Sequence, residues 1–163
     1  MKPSHSVRLY ATALFTALIA VGCVGFNLDR PISAPFNEAD FEASAKSGTA
    51  VVQGQAFAKT RGGDVKLGAG NEVRLYPVNT YTTEARNTAT SGFRPKHDPR
   101  FFKYVRKSTA DAQGNFEFRD LPGGEYFVEC SIFWEVGNAT TGGVAHGRVK
   151  AEEGKAVKVL LTP

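Results

Sequence analysis

DAQGNFEFRDLPGGEYFVECS, residues Asp111–Ser131, is the stretch that decides the fold. Phe116 and Phe118 alternate with Glu117 and Arg119, and Tyr126, Val128 and Cys130 alternate with Phe127, Glu129 and Ser131. A period of two places each set on one face of a strand. Leu121-Pro122-Gly123-Gly124 joins the two runs, and Gln113-Gly114-Asn115 reverses the chain before them. Proline fixes φ, and glycine reaches the left-handed region that tight turns need. The stretch reads as a hairpin without a catalytic group in its turn. Phe116 and Phe118 are expected to point inward, with Leu121 capping the core.

The same period runs outward in both directions. Ala50, Val52, Gly54, Ala56 and Ala58 share a face, as do Val73 and Leu75 against Arg74 and Tyr76. In FFKYVRKS, Phe102 and Tyr104 alternate with Lys103. Ile132 and Trp134 continue the face of Cys130, and Val157, Val159 and Leu161 close the chain after a strand over Val144–Ala151. Turn chemistry separates these runs at Arg61–Asp64, Gly68–Asn71, Pro122–Gly124 and Thr141–Gly143. No stretch longer than a turn or two has a helical period. Seven short strands spaced by turns predict an all-β, antiparallel sandwich over residues 48–163. That span can bury enough surface to fold without disulfides.

The first 22 residues form a separate element. Lys2 and Arg8 precede Leu9–Val21, an uncharged apolar run too short to span a bilayer, which needs about 20 residues. Ala20-Val21-Gly22-Cys23 ends it. Three outcomes fit this segment: lipidation at Cys23, ordinary secretory cleavage at the same bond, or an uncleaved anchor. With residues 1–22 removed, the formal charge of +4 falls to +2 as Lys2 and Arg8 leave. Nucleic-acid binding calls for a far more basic domain, so no nucleic-acid partner is expected. Residues 23–47 hold Pro31 and Pro35 and lack alternation, which reads as a tether. Its end is expected to dock, with one short helical turn from Asn37 to about Ala45 and with Phe36 and Phe41 packed on the domain. Cys130, the other cysteine, is expected to be buried and inert.

Two resemblances sit on these residues. Ala20–Cys23 resembles the lipobox of bacterial lipoproteins, although Ala20 stands where that family most often has Leu. It implies a cleaved, acylated Cys23 as a membrane anchor, and Val24 in the next position implies the outer membrane. Val52, Gly54–Phe57, Asn71–Val73, Leu75, Pro77, Thr109, Asp111, Gly114, Phe116, Phe118, Leu121, Pro122, Gly124 and Tyr126 resemble the carboxypeptidase regulatory-like domain. That implies a transthyretin/immunoglobulin-like sandwich, an accessory module in many settings.

Chemistry known on related folds leaves little trace. The chain ends Val159-Leu160-Leu161-Thr162-Pro163, where a transthyretin-like ureide hydrolase carries Tyr-Arg-Gly-Ser. Beyond the leader only His97 and His146 remain, against the paired Tyr and His of an intradiol dioxygenase. Lys155–Thr162 holds no Asn for a pilin-type crosslink. Glu152-Glu153 reads as a solvent-facing turn, and Asn138-Ala139-Thr140 as a chance sequon. No catalytic residue, metal site or cofactor is expected. The expected role is a non-catalytic envelope lipoprotein that binds or scaffolds, the alternative being a transthyretin-like hydrolase with an unrecognised site.

One segment exceeds what a sandwich needs. Val78–Lys107 is long for a connection, and Asn79–Pro99 reads as an insertion between strands. From Arg94 to Lys107, cations interleave with aromatic rings: Arg94, Lys96, Arg100, Lys103, Arg106 and Lys107 beside Phe101, Phe102 and Tyr104. The ligand-binding candidates are Arg94, Lys96, Arg100, Phe101, Lys103 and Tyr104, which together suit an anionic envelope component or an envelope protein. The competing reading is that the rings anchor the segment while the charges face water.

Overall fold

The computed structural model describes residues 28–163, so Cys23 and the leader lie outside the described residues. In chain order the elements are β1 (Asp29–Pro31), α1 (Ala39–Ala45), β2 (Ala50–Lys59), β3 (Val65–Leu67), β4 (Glu72–Pro77) and α2 (Thr80–Thr90). They continue with β5 (Arg94–Lys96), a 3₁₀ helix over Pro99–Tyr104, β6 (Arg106–Thr109), β7 (Asn115–Leu121), β8 (Gly124–Val136), β9 (Ala139–Ala151) and β10 (Ala156–Leu161). Two four-stranded sheets face each other, one ordered β10-β2-β3 with β7 also on β2, the other β6-β4-β8-β9.

The core between them is made of the residues whose alternation placed them there. Val52, Leu121, Val128 and Leu161 are fully buried, as are Phe116, Phe118, Tyr126 and Ile132 within a few per cent. Cys130 is 1% exposed and unpaired, as its phase requires. Trp134 packs on the rim of this core, half-buried. Gly54 is needed for a close approach: a Cβ there would collide with the Phe116 ring and the Val159 carbonyl. Glu153, read from sequence as a turn residue, is a clasp. Its carboxylate accepts from the Thr49 amide at 2.7 Å, the Thr49 hydroxyl at 2.6 Å and the Gly123 amide at 2.7 Å.

Four expectations need correction. The described residues hold ten strands, not seven, because three short ones (β1, β3 and β5) were invisible to alternation. The sandwich is not wholly antiparallel: β10 runs parallel to β2 in register Ala156↔Val51 through Leu161↔Ala56. The turn expected at Thr141–Gly143 lies inside β9. The β8–β9 hairpin reverses instead at Gly137-Asn138, between the paired Val136 and Ala139, with Gly137 at φ 60°. Finally, helix is present beyond the one short turn expected from Asn37 to about Ala45, where α1 lies. α2 occupies the presumed insertion, and Phe101–Tyr104 belongs to the 3₁₀ helix instead of a strand, so Phe101 is buried and Phe102 is 58% exposed.

These helices cover the outer face of the β6-β4-β8-β9 sheet. Tyr76 and Phe127, on the outward parity of β4 and β8, are buried beneath Phe41, Tyr81 and Phe101, with Ile32, Phe36, Val78 and Tyr104 around them. Phe36 stacks on Phe41 with centroids 4.7 Å apart, and Phe101 meets Tyr76 edge-on at 5.4 Å. The docked end of the N-terminal segment is therefore part of a second, aromatic core, with β1 paired to β5 and α1 carrying the fully buried Phe41.

Candidate functional site

The second core covers only one end of that sheet face. Beside it lies a cleft of about 700 Å³, within the ~300–1,000 Å³ range usual for small-molecule sites. Its floor is the sheet, and its roof is α2 together with Pro95–Phe102. Strand register builds the floor. Lys107 of β6 lies opposite Arg74 of β4, Arg74 opposite Glu129 of β8, and Glu129 opposite His146 of β9. A single rung thus carries four polar side chains across the whole sheet, with strands about 4.8 Å apart.

Hydrogen bonds fix much of this rung. The Tyr76 hydroxyl donates to Glu129 at 3.0 Å, and Arg74 reaches the same carboxylate at 4.0 Å. Glu72 accepts from Arg74 Nε at 2.8 Å and pairs with Lys107 at 3.0 Å. Those two cations hold its carboxyl below the usual range. Burial, reinforced by the Glu129 charge, pushes the Tyr76 phenol up, so that phenol stays a proton donor. His146 is fastened by its backbone, which donates to Thr162 O at 3.1 Å.

The roof is set by capping and stacking. Asn79 caps α2: its side chain accepts from the Thr82 amide at 2.9 Å, and the Thr82 hydroxyl accepts from the Asn79 amide at 3.0 Å. This holds Ala85, Arg86 and Ala89 over the floor. Arg86 is half-buried, its guanidinium carbon 5.6 Å from the centre of the Phe127 ring. It makes no ion pair among the described residues. His97 stacks on Phe101 at 4.3 Å, and its Nδ1 lies 3.4 Å from the Tyr81 hydroxyl. Burial and then the Arg74 charge pull its pKa down.

The six sequence candidates do not share one surface. Phe101 and Tyr104 belong to the aromatic core, and the Tyr104 hydroxyl donates to Glu38 at 2.7 Å, which raises that phenol to about 12. Arg100 closes a fork on Asp98 at 2.8 Å and 3.0 Å and lies over the Phe36 ring at 4.8 Å. Arg94 and Lys96 stand exposed on β5, opposite Asp29 and Pro31 of β1. Lys103 is exposed on the 3₁₀ helix, away from the cleft lining. Phe101 and Tyr104 thus pack in that core, and Phe101, with Pro95, His97 and Phe102, also walls the cleft. Sequence reasoning missed Arg74, Arg86, Glu129 and His146 as one group. The outward parity of Arg74, Glu129 and His146 was visible, but only strand register aligns them, and Arg86 joins them from α2.

No family model matches the chain, and no curated protein matches it. Solved structures do. A putative carbohydrate binding protein from Pseudomonas aeruginosa is 26% identical, with a TM-score of 0.69 over 80% of this chain and 99% of that one. The two proteins share a fold. The pilus backbone protein of Streptococcus pneumoniae also matches, at 15% identity and a TM-score of 0.34, over 69% of this chain and 40% of that one. That likeness is too slight to bear on function.

Proposed function

We propose that this chain is a non-catalytic carbohydrate-binding module of a bacterial envelope, with the cleft beneath α2 as its site. The observation that carries this reading is the cleft's make-up. It is a concave surface with an exposed aromatic ring, Phe102, facing a rung of fixed hydrogen-bonding groups. Sugars offer apolar C–H faces to a ring and hydroxyls to donors and acceptors held in place, so such a surface can orient them. The ligand class attributed to the similar Pseudomonas aeruginosa protein supports the same reading. On its motifs we assign the domain to the carboxypeptidase regulatory-like, transthyretin-like class, presented at the outer membrane by acyl chains on Cys23.

Affinity electrophoresis of the processed chain through gels containing neutral or acidic polysaccharides tests the reading. Retardation is expected in at least one gel, and Phe102→Ala should weaken it about tenfold, as loss of a central aromatic contact does. Unretarded migration through every polysaccharide would remove the cleft as a glycan site.

A further inference from the structure

We propose that the sugar this cleft takes is an acidic one, a saccharide bearing carboxylates, with Arg86 as the group that reads the charge. The inference rests on the carbohydrate reading above and adds the ligand's chemistry. The charged side chains lining the cleft are Arg74, Arg86, Lys107 and Glu129, an excess of cations inside a concave site. The floor cations have internal partners. Arg74 and Lys107 share Glu72, while Glu129 is held by Tyr76 and Arg74.

Arg86 differs. It descends from the roof, half-buried, beside the Phe127 ring and with the Tyr76 phenol as its polar neighbour, and no carboxylate is paired to it among the described residues. Charges that are taken partly out of water are usually paired, and a guanidinium presents a planar fork that fits a carboxylate in two parallel hydrogen bonds. A partner carboxylate supplied by the ligand would complete it. Lys107 and Arg74 stand across the cleft, so successive charged units of one acidic chain could meet Arg86 and then the floor. Phe102 supplies the ring on which a sugar face can lie, and the polar floor supplies Ser131 and Glu129 for hydroxyls. An anionic lipid headgroup would use the same cations, but it has no use for a ring stacked beside a hydroxyl-reading rung.

The test uses the full chain as expressed and processed, in a sugar-free detergent, with titration calorimetry. The probes are oligogalacturonate, oligomannuronate and oligoglucuronate, each beside its carboxyl-reduced derivative, which keeps the backbone and loses the charge. Glycerophosphoglycerol, the phosphatidylglycerol headgroup without its acyl chains, forms a further arm. At least one acid form should bind, at least tenfold tighter than its reduced partner, with affinity falling as salt rises. Arg86→Gln should collapse that preference. Arg119→Gln, which removes the same charge from the opposite sheet, should leave it intact. Arg86 touches the Phe127 ring and the Tyr76 phenol, so the melting temperature of its variant is measured beside the parent's, and Lys107→Gln gives an independent check by reducing the preference in part. Equal binding of acid and reduced forms overturns the acidic inference and leaves the carbohydrate reading standing. Binding to the headgroup alone, or to nothing, overturns the acidic inference, and the carbohydrate reading then stands or falls with the electrophoresis.

Discussion

At the scale of the residue, His97 couples the cleft to pH. Its imidazole is stacked on Phe101 and flanked by Phe102 and Tyr81, and both burial and Arg74 disfavour the imidazolium. The folded pKa therefore lies below the ordinary 6.5. A depressed pKa gives stability that is present above the unfolded value and lost as pH falls through the folded one. The melting temperature should then decline as pH drops below about 6.5, and His97→Gln should flatten that decline. A parallel decline in the variant would clear His97 of the effect. The carboxylates act in a different window. Asp98, held at about 2 by the Arg100 fork, and Glu72, held down by Arg74 and Lys107, lose their contributions only under more acid conditions. Cys130 offers a second test at this scale. Its thiol is 1% exposed and burial pushes its pKa up, so labelling should be slow until denaturant is added, and rapid labelling of native protein would contradict its place in the core.

Among the elements, α2 and the 3₁₀ helix escape alternation and roof the cleft. α2 reads TYTTEARNTAT, where only Tyr81, Thr82 and Ala85 are buried. So few apolar positions leave almost no periodic signal, and threonine is a poor helix former. Its cap and its burial hold it instead. Asn79→Ala should cost about 1 kcal/mol, whereas Asn79→Ser keeps a capping oxygen and also removes the buried side-chain nitrogen of Asn79 that has no partner. A melting difference between the two variants measures the cap, and equal losses would argue against it. The sandwich was legible because one face of each strand is packed, and Phe116, Phe118 and Cys130 lie where their phase puts them. The second core was half legible. Phe36 and Phe41 announced a docked segment, and Tyr76 and Phe127 stood apolar on an outward face, which is a sign that something covers it. What alternation cannot convey is register, and register alone aligns Lys107, Arg74, Glu129 and His146. Phe41→Ala tests the cover directly. Losing a fully buried ring should cost about 3–5 kcal/mol, as in any core, and a loss below about 1 kcal/mol would mean that α1 merely rests on the domain.

For the whole molecule, the docked segment sets where the cleft stands relative to any anchor. The chain between Cys23 and the start of β1 at Asp29 can span at most about 20 Å when fully extended, at some 3.4 Å per residue. β1 pairs with β5, whose Pro95 lines the cleft, so an anchor at Cys23 would hold the cleft close to the bilayer. The exposed Arg94, Lys96 and Lys103 lie on the same segment that β1 fastens. One acyl chain holds a protein only marginally, while two or three make attachment stable, so the modification decides whether this geometry is realised. In a double-membraned bacterium the parent should fractionate with the envelope and withstand a high-salt wash. Its intact mass should show loss of residues 1–22 and gain of several acyl groups. Cys23→Ser should appear in the soluble fraction at high salt, because cationic side chains alone are screened beyond about 10 Å at 0.1 M. At low salt the same variant should keep partial envelope association, which Arg94→Glu with Lys96→Glu and Lys103→Glu should remove without changing the melting temperature. Parent protein found soluble at the unacylated mass would mean ordinary secretion, and parent protein retained at the full-length, unacylated mass would mean an uncleaved anchor; either result refutes lipidation.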